Sequence, residues 1–481
     1  MDTLDLGSRR ELMVDDFLIE EMEGAELRLQ HPSPRETVMS FNATWEGSGC
    51  GYVTVFEDDD RYRMYYKAWH LPVGEDGVVA DGSSLHICYA ESPDGIHWER
   101  PEFGLFEHDG STANNIVFTG PGSHGFAPFK DPNPEALPEA RYKAFGHGKD
   151  RDARVIWAHC SPDGVHWSRM REEPVMDCCA FDSQNLAFFD ETRGEYRAYV
   201  RDFTGERIGQ GLRGIKTATS PDFLNWTEPE WLGYPGAPDE QLYTNQVHPC
   251  ARAPQIFIGL PARYVERGWS PSMRALPDPE NREMRARTQE RYGTALSDSL
   301  LMTSRDGRTF NRWGEAFVRP GIQRPGTWAY GDHYLQWQIV ETESSLPGAP
   351  RELSFYSVED YWQNNAASLR RYTLRLDGFV ALHAPLSGGE MVTKPLTFEG
   401  DELFLNFATS AAGEIRVEVQ DRSGAPIAGL MLDDCDPVFG DEIERAVTWR
   451  GGRSDLSVLS AEPIRLRVVM RDADLFSLRF G

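Results

Sequence analysis

The sequence predicts an all-β protein, a five-bladed β-propeller followed by a C-terminal β-sandwich. Three observations predict it: a turn phrase that occurs four times, two strand-like runs ahead of each copy, and a change of texture after Pro385. The phrase reads Ser92-Pro93-Asp94-Gly95-Ile96-His97-Trp98, then Ser161-Pro162-Asp163-Gly164-Val165-His166-Trp167. It returns as Ser220-Pro221-Asp222-Phe223-Leu224-Asn225-Trp226 and as Ser304-Arg305-Asp306-Gly307-Arg308-Thr309-Phe310. Gly accepts φ > 0 and Asp bonds its own backbone two residues on, so Asp-Gly makes a tight turn. The aromatic that follows folds back over it. Strands and turn recurring at blade-sized spacing mark a propeller.

The elements follow in order. Residues 1–40 hold the run Glu11 to Ile19, read as a strand that packs on the ring or closes it. Residues 41–384 form the propeller. Blade one has runs at 51–56, 62–66 and 86–90, blade two at 126–130, 141–145 and 155–159, and blade three at 184–189, 196–200 and 215–219. Blade four has runs at 243–247, 255–260 and 299–303, and blade five at 330–337, 353–357 and 369–375, with the turn phrase worn down to Ser357–Trp362. The segment Tyr264 to Arg291 breaks the rhythm: Asp278-Pro279-Glu280 looks like a capped helix start inside an insertion. Its six arginines and Trp269 suggest a basic arm that meets a second copy of this acidic chain, a homo-oligomer, or covers the funnel. Residues 385–481 alternate apolar and polar in runs such as Ile415 to Val419 and Ile464 to Val469, as a sandwich requires.

Composition excludes some partners. The chain has 481 residues, with 76 acidic against 49 basic and a net charge of −27. Such a surface repels nucleic acid. No run reaches membrane-spanning length and the first residues lack a secretion-signal layout, so a cytoplasmic location is expected. Seven cysteines give no disulfide framework and no Cys-x-x-Cys pair, and Cys178-Cys179, if in a strand, would point apart.

Chemistry in a propeller belongs in the funnel at the mouth of the channel. Carboxylates converging there lose water and repel one another, which separates them into acid and base roles. Reading the polar residues taken to lie just before each inner strand gives Glu46, Asp131 and Asp182 as catalytic candidates, with Asp16 a rival for the blade-one place. Substrate contacts are expected from Asp16, His124, Gln184, Asn185, Asn245, Gln246, Asp332 and His333. Trp69, His70, Trp269, Trp328 and Trp337 are candidates for an aromatic sugar platform. The aspartates of the four turns read as structural. No metal or organic cofactor is expected.

Lys130-Asp131-Pro132, the turns and the architecture resemble the five-bladed glycoside hydrolases of families 32, 43, 62, 68 and 117. Lys130-Asp131-Pro132 looks like the Arg-Asp-Pro of family 32, which implies that Asp131 grips substrate hydroxyls. The family's blade-one and blade-three motifs are replaced here by Trp45-Glu46-Gly47-Ser48-Gly49 and Phe181-Asp182-Ser183-Gln184, so the chain represents a distant or separate family. The resemblance implies an exo-acting glycosidase taking a terminal sugar, a furanoside favoured, with Asp182 protonating the leaving oxygen and Glu46 or Asp16 acting opposite. Two alternatives stay open. One is a phosphorylase resembling the mannoside phosphorylases of family 130, with Lys130, Arg252, Arg263 and Arg267 as phosphate ligands. The other is a non-catalytic carbohydrate-binding propeller.

Overall fold

The computed structural model describes residues 3–78, 85–150, 153–363, 365–460 and 462–481. Five four-stranded antiparallel sheets run along the chain. The first contains Gly51–Asp58, Arg61–Ala68, His86–Ser92 and Ile116–Thr119. The second contains Gly122–Lys130, Tyr142–Asp150, Ala153–Ser161 and Ser168–Arg169. The third contains Leu186–Asp190, Glu195–Phe203, Arg213–Ser220 and Glu230–Trp231. In the fourth, His248–Cys250, Ala253–Gly259, Met302–Ser304 and Asn311–Arg312 pair, while Gln241–Leu242, Ala262–Glu266 and Ala295–Ser299 form a separate three-stranded sheet. The fifth joins Val340–Thr342, Glu352–Glu359 and Ser368–Arg375 to Ser33–Ser40 from the N-terminal region.

The first forty residues therefore do not form one segment laid on the ring. Ser33–Ser40 completes the fifth sheet, while Leu4–Asp5, Glu11–Leu12, Ile19–Glu23 and Glu26–Leu29 enter a ten-stranded sheet with strands between Val380 and Phe480. The run Glu11 to Ile19 is broken because Asp15 accepts the Phe17 N–H at 3.1 Å and pairs with Arg305 at 2.8 Å, bending the chain after Leu12. Two long strands, Leu403–Asp421 and Ile464–Phe480, organise the large sheet around a core that includes Trp449 and stacked Phe398 and Phe480.

The repeated turns hold neighbouring sheets together. Asp94 Oδ1 accepts the N–H groups of Ile96 and His97 at 2.8 Å, its Oδ2 meets His97 Nδ1 at 2.7 Å, and Trp98 Nε1 donates to the Gly95 carbonyl. Asp163 repeats the arrangement with Val165, His166 and Trp167. Partial burial opposes ionisation, yet these bonds hold both carboxyls well below the usual range. A tyrosine on another sheet then donates to the turn's glycine carbonyl: Tyr65 to Gly164, Tyr199 to Gly307 and Tyr356 to Gly95, at 2.7–2.8 Å. The last bond joins the fifth sheet to the first. A Cβ on Gly164 would lie 2.5 Å from the Tyr65 hydroxyl, so glycine is required there. In the remaining turn the partner is Phe145, which has no hydroxyl, and Phe223 takes the glycine's place at φ 68°.

Asp131 belongs to another repeated brace. Asp58, ending the first strand of sheet one, accepts the Tyr142 hydroxyl at 2.7 Å, and Asp131, just past the first strand of sheet two, accepts that of Tyr196 at 2.6 Å.

The insertion contains helices Pro271–Arg274, Pro279–Ala286 and Glu290–Thr294. Arg282 and Arg285 are buried and donate to carbonyls of Pro277, Trp328 and Tyr292. The expected basic arm is corrected on this point: these two arginines satisfy internal carbonyls and brace the helices. Among the described residues no helix is long and apolar enough to cross a membrane, and all seven cysteines are free.

Candidate active site

In the first sheet the turn begins at Ser92, which pairs with Tyr62, while Gly51, Lys67 and His86 lie toward the other end. The second strands of sheets one to three present Lys67, His147 and Arg201 there. Each lies two residues beyond Tyr65, Phe145 or Tyr199, and strand side chains alternate, so all three share one phase.

A pocket opens at this end, with about 380 Å³ of unfilled space that includes open solvent. Tyr52, Tyr243, Tyr330, Tyr334 and Tyr361 line it with Lys67 and Gln336. Asp182 stands beside it: its charge acts on Lys67 and on the phenols of Tyr52, Tyr243, Tyr330 and Tyr361, which burial pushes upward, with neighbouring phenols and this charge adding to the rise. Arg154 Nη1 lies 3.1 Å from Asp182 Oδ2 and His124 Nε2 lies 3.7 Å from Oδ1. Burial works against the Asp182 carboxylate, but at neutral pH the charges of Arg201 and Arg154 outweigh it and hold the group ionised.

Lys67 is 3% exposed and packs between the rings of Tyr52 and Trp69, 4.3 and 4.8 Å from their centroids. Burial lowers its ammonium to about 8, with Asp182 opposing the fall. His147 is pushed down to about 4 by burial, and burial followed by the charge of Lys67 lowers His124 as well. At neutral pH the site therefore holds one carboxylate, three cations (Lys67, Arg154 and Arg201) and two neutral imidazoles. Among the described residues Tyr334 Oη, Gln246 Oε1, His124 Nδ1 and both ring nitrogens of His147 are buried without a protein hydrogen-bond partner.

Polar side chains next to Tyr52 and Gln336 bond one another. Gln184 Nε2 donates to Thr54 Oγ1 at 3.2 Å, Gln246 Nε2 to Gln184 Oε1 at 2.8 Å, and Val53 N–H to Gln336 Oε1 at 2.7 Å. Trp337 is buried and donates to the Val247 carbonyl.

The candidates from the sequence separate. Asp182 and His124 lie together, Gln184 and Gln246 bond each other, and Trp69 packs on Lys67 and His124. Glu46 is elsewhere, bound by Tyr66 Oη at 2.5 Å and Arg100 at 2.9 Å in a rim pocket shared with His70. Asp131 sits at the turn-bearing end, buried against the Lys143 ammonium, because the strand Gly122–Lys130 starts at the funnel and ends away from it. Asp16 is exposed between strands of the ten-stranded sheet. Asn185 and Asn245 are occupied by backbone, Asn185 Oδ1 accepting the Arg201 N–H and Asn245 Oδ1 that of Val247. Asp332 is buried behind the pocket, its Oδ1 accepting the Tyr361 N–H, and burial raises its carboxyl well above the usual range. His333 meets the Pro320 carbonyl. Of the proposed phosphate ligands, Lys130 is tied to Asp58 and Asp59, Arg252 to Asp377, and Arg263 to Asp298 and Glu240. Trp269 stacks on Arg274 within the insertion, and Trp328 donates to the Gly321 carbonyl.

No protein-family model matches the chain, and no curated protein matches it. Solved structures do. An N-acetylgalactosamine deacetylase from F. plautii, in complex with blood group B trisaccharide, is 14% identical over 73% of this chain and 94% of its own, with a TM-score of 0.44. A fructofuranosidase from Schwanniomyces occidentalis complexed with fructosylnystose is 13% identical over 92% and 96%, with a TM-score of 0.40. The GH32 β-fructofuranosidase of Bombyx mori is 10% identical over 94% of each chain, with a TM-score of 0.42.

Proposed function

We propose that the five sheets are the blades of a five-bladed propeller capped by a β-sandwich, and that the protein is an exo-acting enzyme of glycosidic bonds working at Asp182. The observation that carries this reading is the tyrosine-collared pocket with one ionised carboxylate beside it. Phenol rings suit the apolar faces of a sugar, and the unpartnered polar atoms suit its hydroxyls. The bonded glutamines would stop a polymer from threading through, which favours a terminal residue.

A second feature favours phosphorolysis over hydrolysis. A two-carboxylate hydrolysis needs a second acid beside the first, whereas the groups around Asp182 are Lys67, Arg154 and Arg201. These suit an oxyanion such as phosphate. In this reading a phosphate oxygen attacks the anomeric carbon, the glycosidic C–O bond breaks, and the leaving oxygen takes its proton from Asp182. Bound phosphate would offset the cations that keep Asp182 ionised, raising its pKa so that it can carry that proton. The test incubates furanosides and pyranosides with and without inorganic phosphate. Sugar 1-phosphate formed only with phosphate is expected; free sugar formed equally in both makes the enzyme a hydrolase, and turnover undiminished in Asp182→Asn removes Asp182 from the chemistry.

A further inference from the structure

We propose that Cys178 and Cys179 form a dithiol site that peroxide closes into a vicinal disulfide. The two thiols do not point apart. Their sulfurs are 3.5 Å apart, one thiol donating to the other. The pair lies in a bend outside the strands, so no sheet pairing forces the side chains to opposite faces. Cys178 is exposed and Cys179 buried, which makes one thiol reachable by a small oxidant and the other shielded from it.

The surroundings support a division of roles. The hydrogen bond from Cys179 favours the thiolate at Cys178, and Lys216 acts in the same direction, opposed by burial and Glu228. The same contact and burial push Cys179 upward. Lys216 is itself held by Asp202 at 2.9 Å. The thiolate is the nucleophile in such chemistry.

The steps balance. The Cys178 thiolate attacks one peroxide oxygen; the O–O bond breaks, the second oxygen leaves as water after taking a proton, and Cys178 becomes a sulfenic acid. The Cys179 sulfur then attacks Cys178, the S–O bond breaks and a second water leaves. Two electrons pass from the sulfurs to the peroxide. A disulfide needs its sulfurs roughly 2 Å apart, so closure draws them together and turns the adjoining backbone. The next residue is Ala180, whose carbonyl accepts Arg201 Nε at 2.9 Å and whose N–H donates to Asp202 at 3.1 Å. Arg201 helps keep Asp182 ionised. A loss of turnover on oxidation, unlike the disulfide itself, rests on the assignment of Asp182.

The test treats the native protein with hydrogen peroxide and measures intact mass, mapping the bond by peptide analysis. A species lighter by two hydrogens, linked at Cys178–Cys179 and reversed by dithiothreitol, is expected in wild type and in Asp182→Asn alike. Cys178→Ser should lack it and keep its untreated activity. Addition of oxygen without loss of hydrogen, or the lighter species persisting in Cys178→Ser, overturns the proposal. Activity before and after treatment in wild type reads the link to Asp182 separately.

Discussion

Replacing Lys67 with Met should stabilise the protein at pH 7 while weakening the site. The ammonium is buried and falls from 10.5 to about 8. Each unit is about 1.36 kcal/mol, so the folded state bears a penalty of about 3 kcal/mol wherever the lysine is charged. Cation–π contacts with Tyr52 and Trp69 return about 0.5–2 kcal/mol. A net gain of about 2 kcal/mol remains for Met, which fills similar space without a charge. The sign fixes the pH window. Between about 8 and 10.5 the unfolded chain holds a proton that the folded one has lost, so wild-type stability rises with pH across that range. The advantage of Met is full below about 8 and disappears above 10.5. Urea denaturation of both proteins at pH 7 and pH 10.5 measures it. Equal stability at pH 7, or an advantage unchanged at pH 10.5, would refute the claim that burial depresses this lysine.

The other predictions concern the site and the braces. Asp182→Asn should lower turnover by about 10²–10⁴-fold, the usual worth of a proton-transfer group, measured on the best substrate of the panel. Asp131→Asn should leave the rate constant per folded molecule almost unchanged but destabilise by about 3–5 kcal/mol, since it strands the buried Lys143 ammonium; a large kinetic loss with intact stability would return Asp131 to the chemistry. Phosphate affinity, followed by calorimetry, should fall as pH rises through about 8, where Lys67 loses its charge; a profile flat to pH 9 would place the anion elsewhere. Phe145→Tyr should destabilise by crowding Phe223, and Phe223→Gly should restore stability in the double variant through the hydroxyl-to-carbonyl bond of the other turns, worth about 1 kcal/mol; additive losses in thermal melts would contradict this.

Much of the fold was legible because the turn phrase carries its own chemistry. Asp94 and Asp163 bond the backbone two and three residues ahead, a local pattern that needs no tertiary knowledge. The Ser33–Ser40 strand was not legible, because its partner Ser368–Arg375 lies more than three hundred residues away and Pro34 with three charged or polar neighbours hides its strand character. Asp182 was singled out by its place before an inner strand, and its charge reaches the Lys67 and tyrosine cluster. Asp131 was misplaced because the strand direction was reversed: Gly122 and Ser123 look like a loop, yet they begin the strand. The signal that it was structural lay in Asp58, which holds the same place in sheet one. Lys67, His147 and Arg201 also had a signal, each two residues after the aromatic of a second strand, but a search for carboxylates passed over it. The Tyr361 contribution had none, since it depends on how the fifth sheet meets the first.

In the proposed reading a sugar ends its path among the tyrosines beside Asp182. A crystal structure of Asp182→Asn with the substrate that wild type cleaves tests it most directly. The terminal ring is expected against Tyr52, Tyr243 and Tyr330, its glycosidic oxygen within hydrogen-bond reach of residue 182. A sugar bound instead in the surface groove beside Arg263, Arg319 and Trp328, with the tyrosine pocket empty, would contradict it.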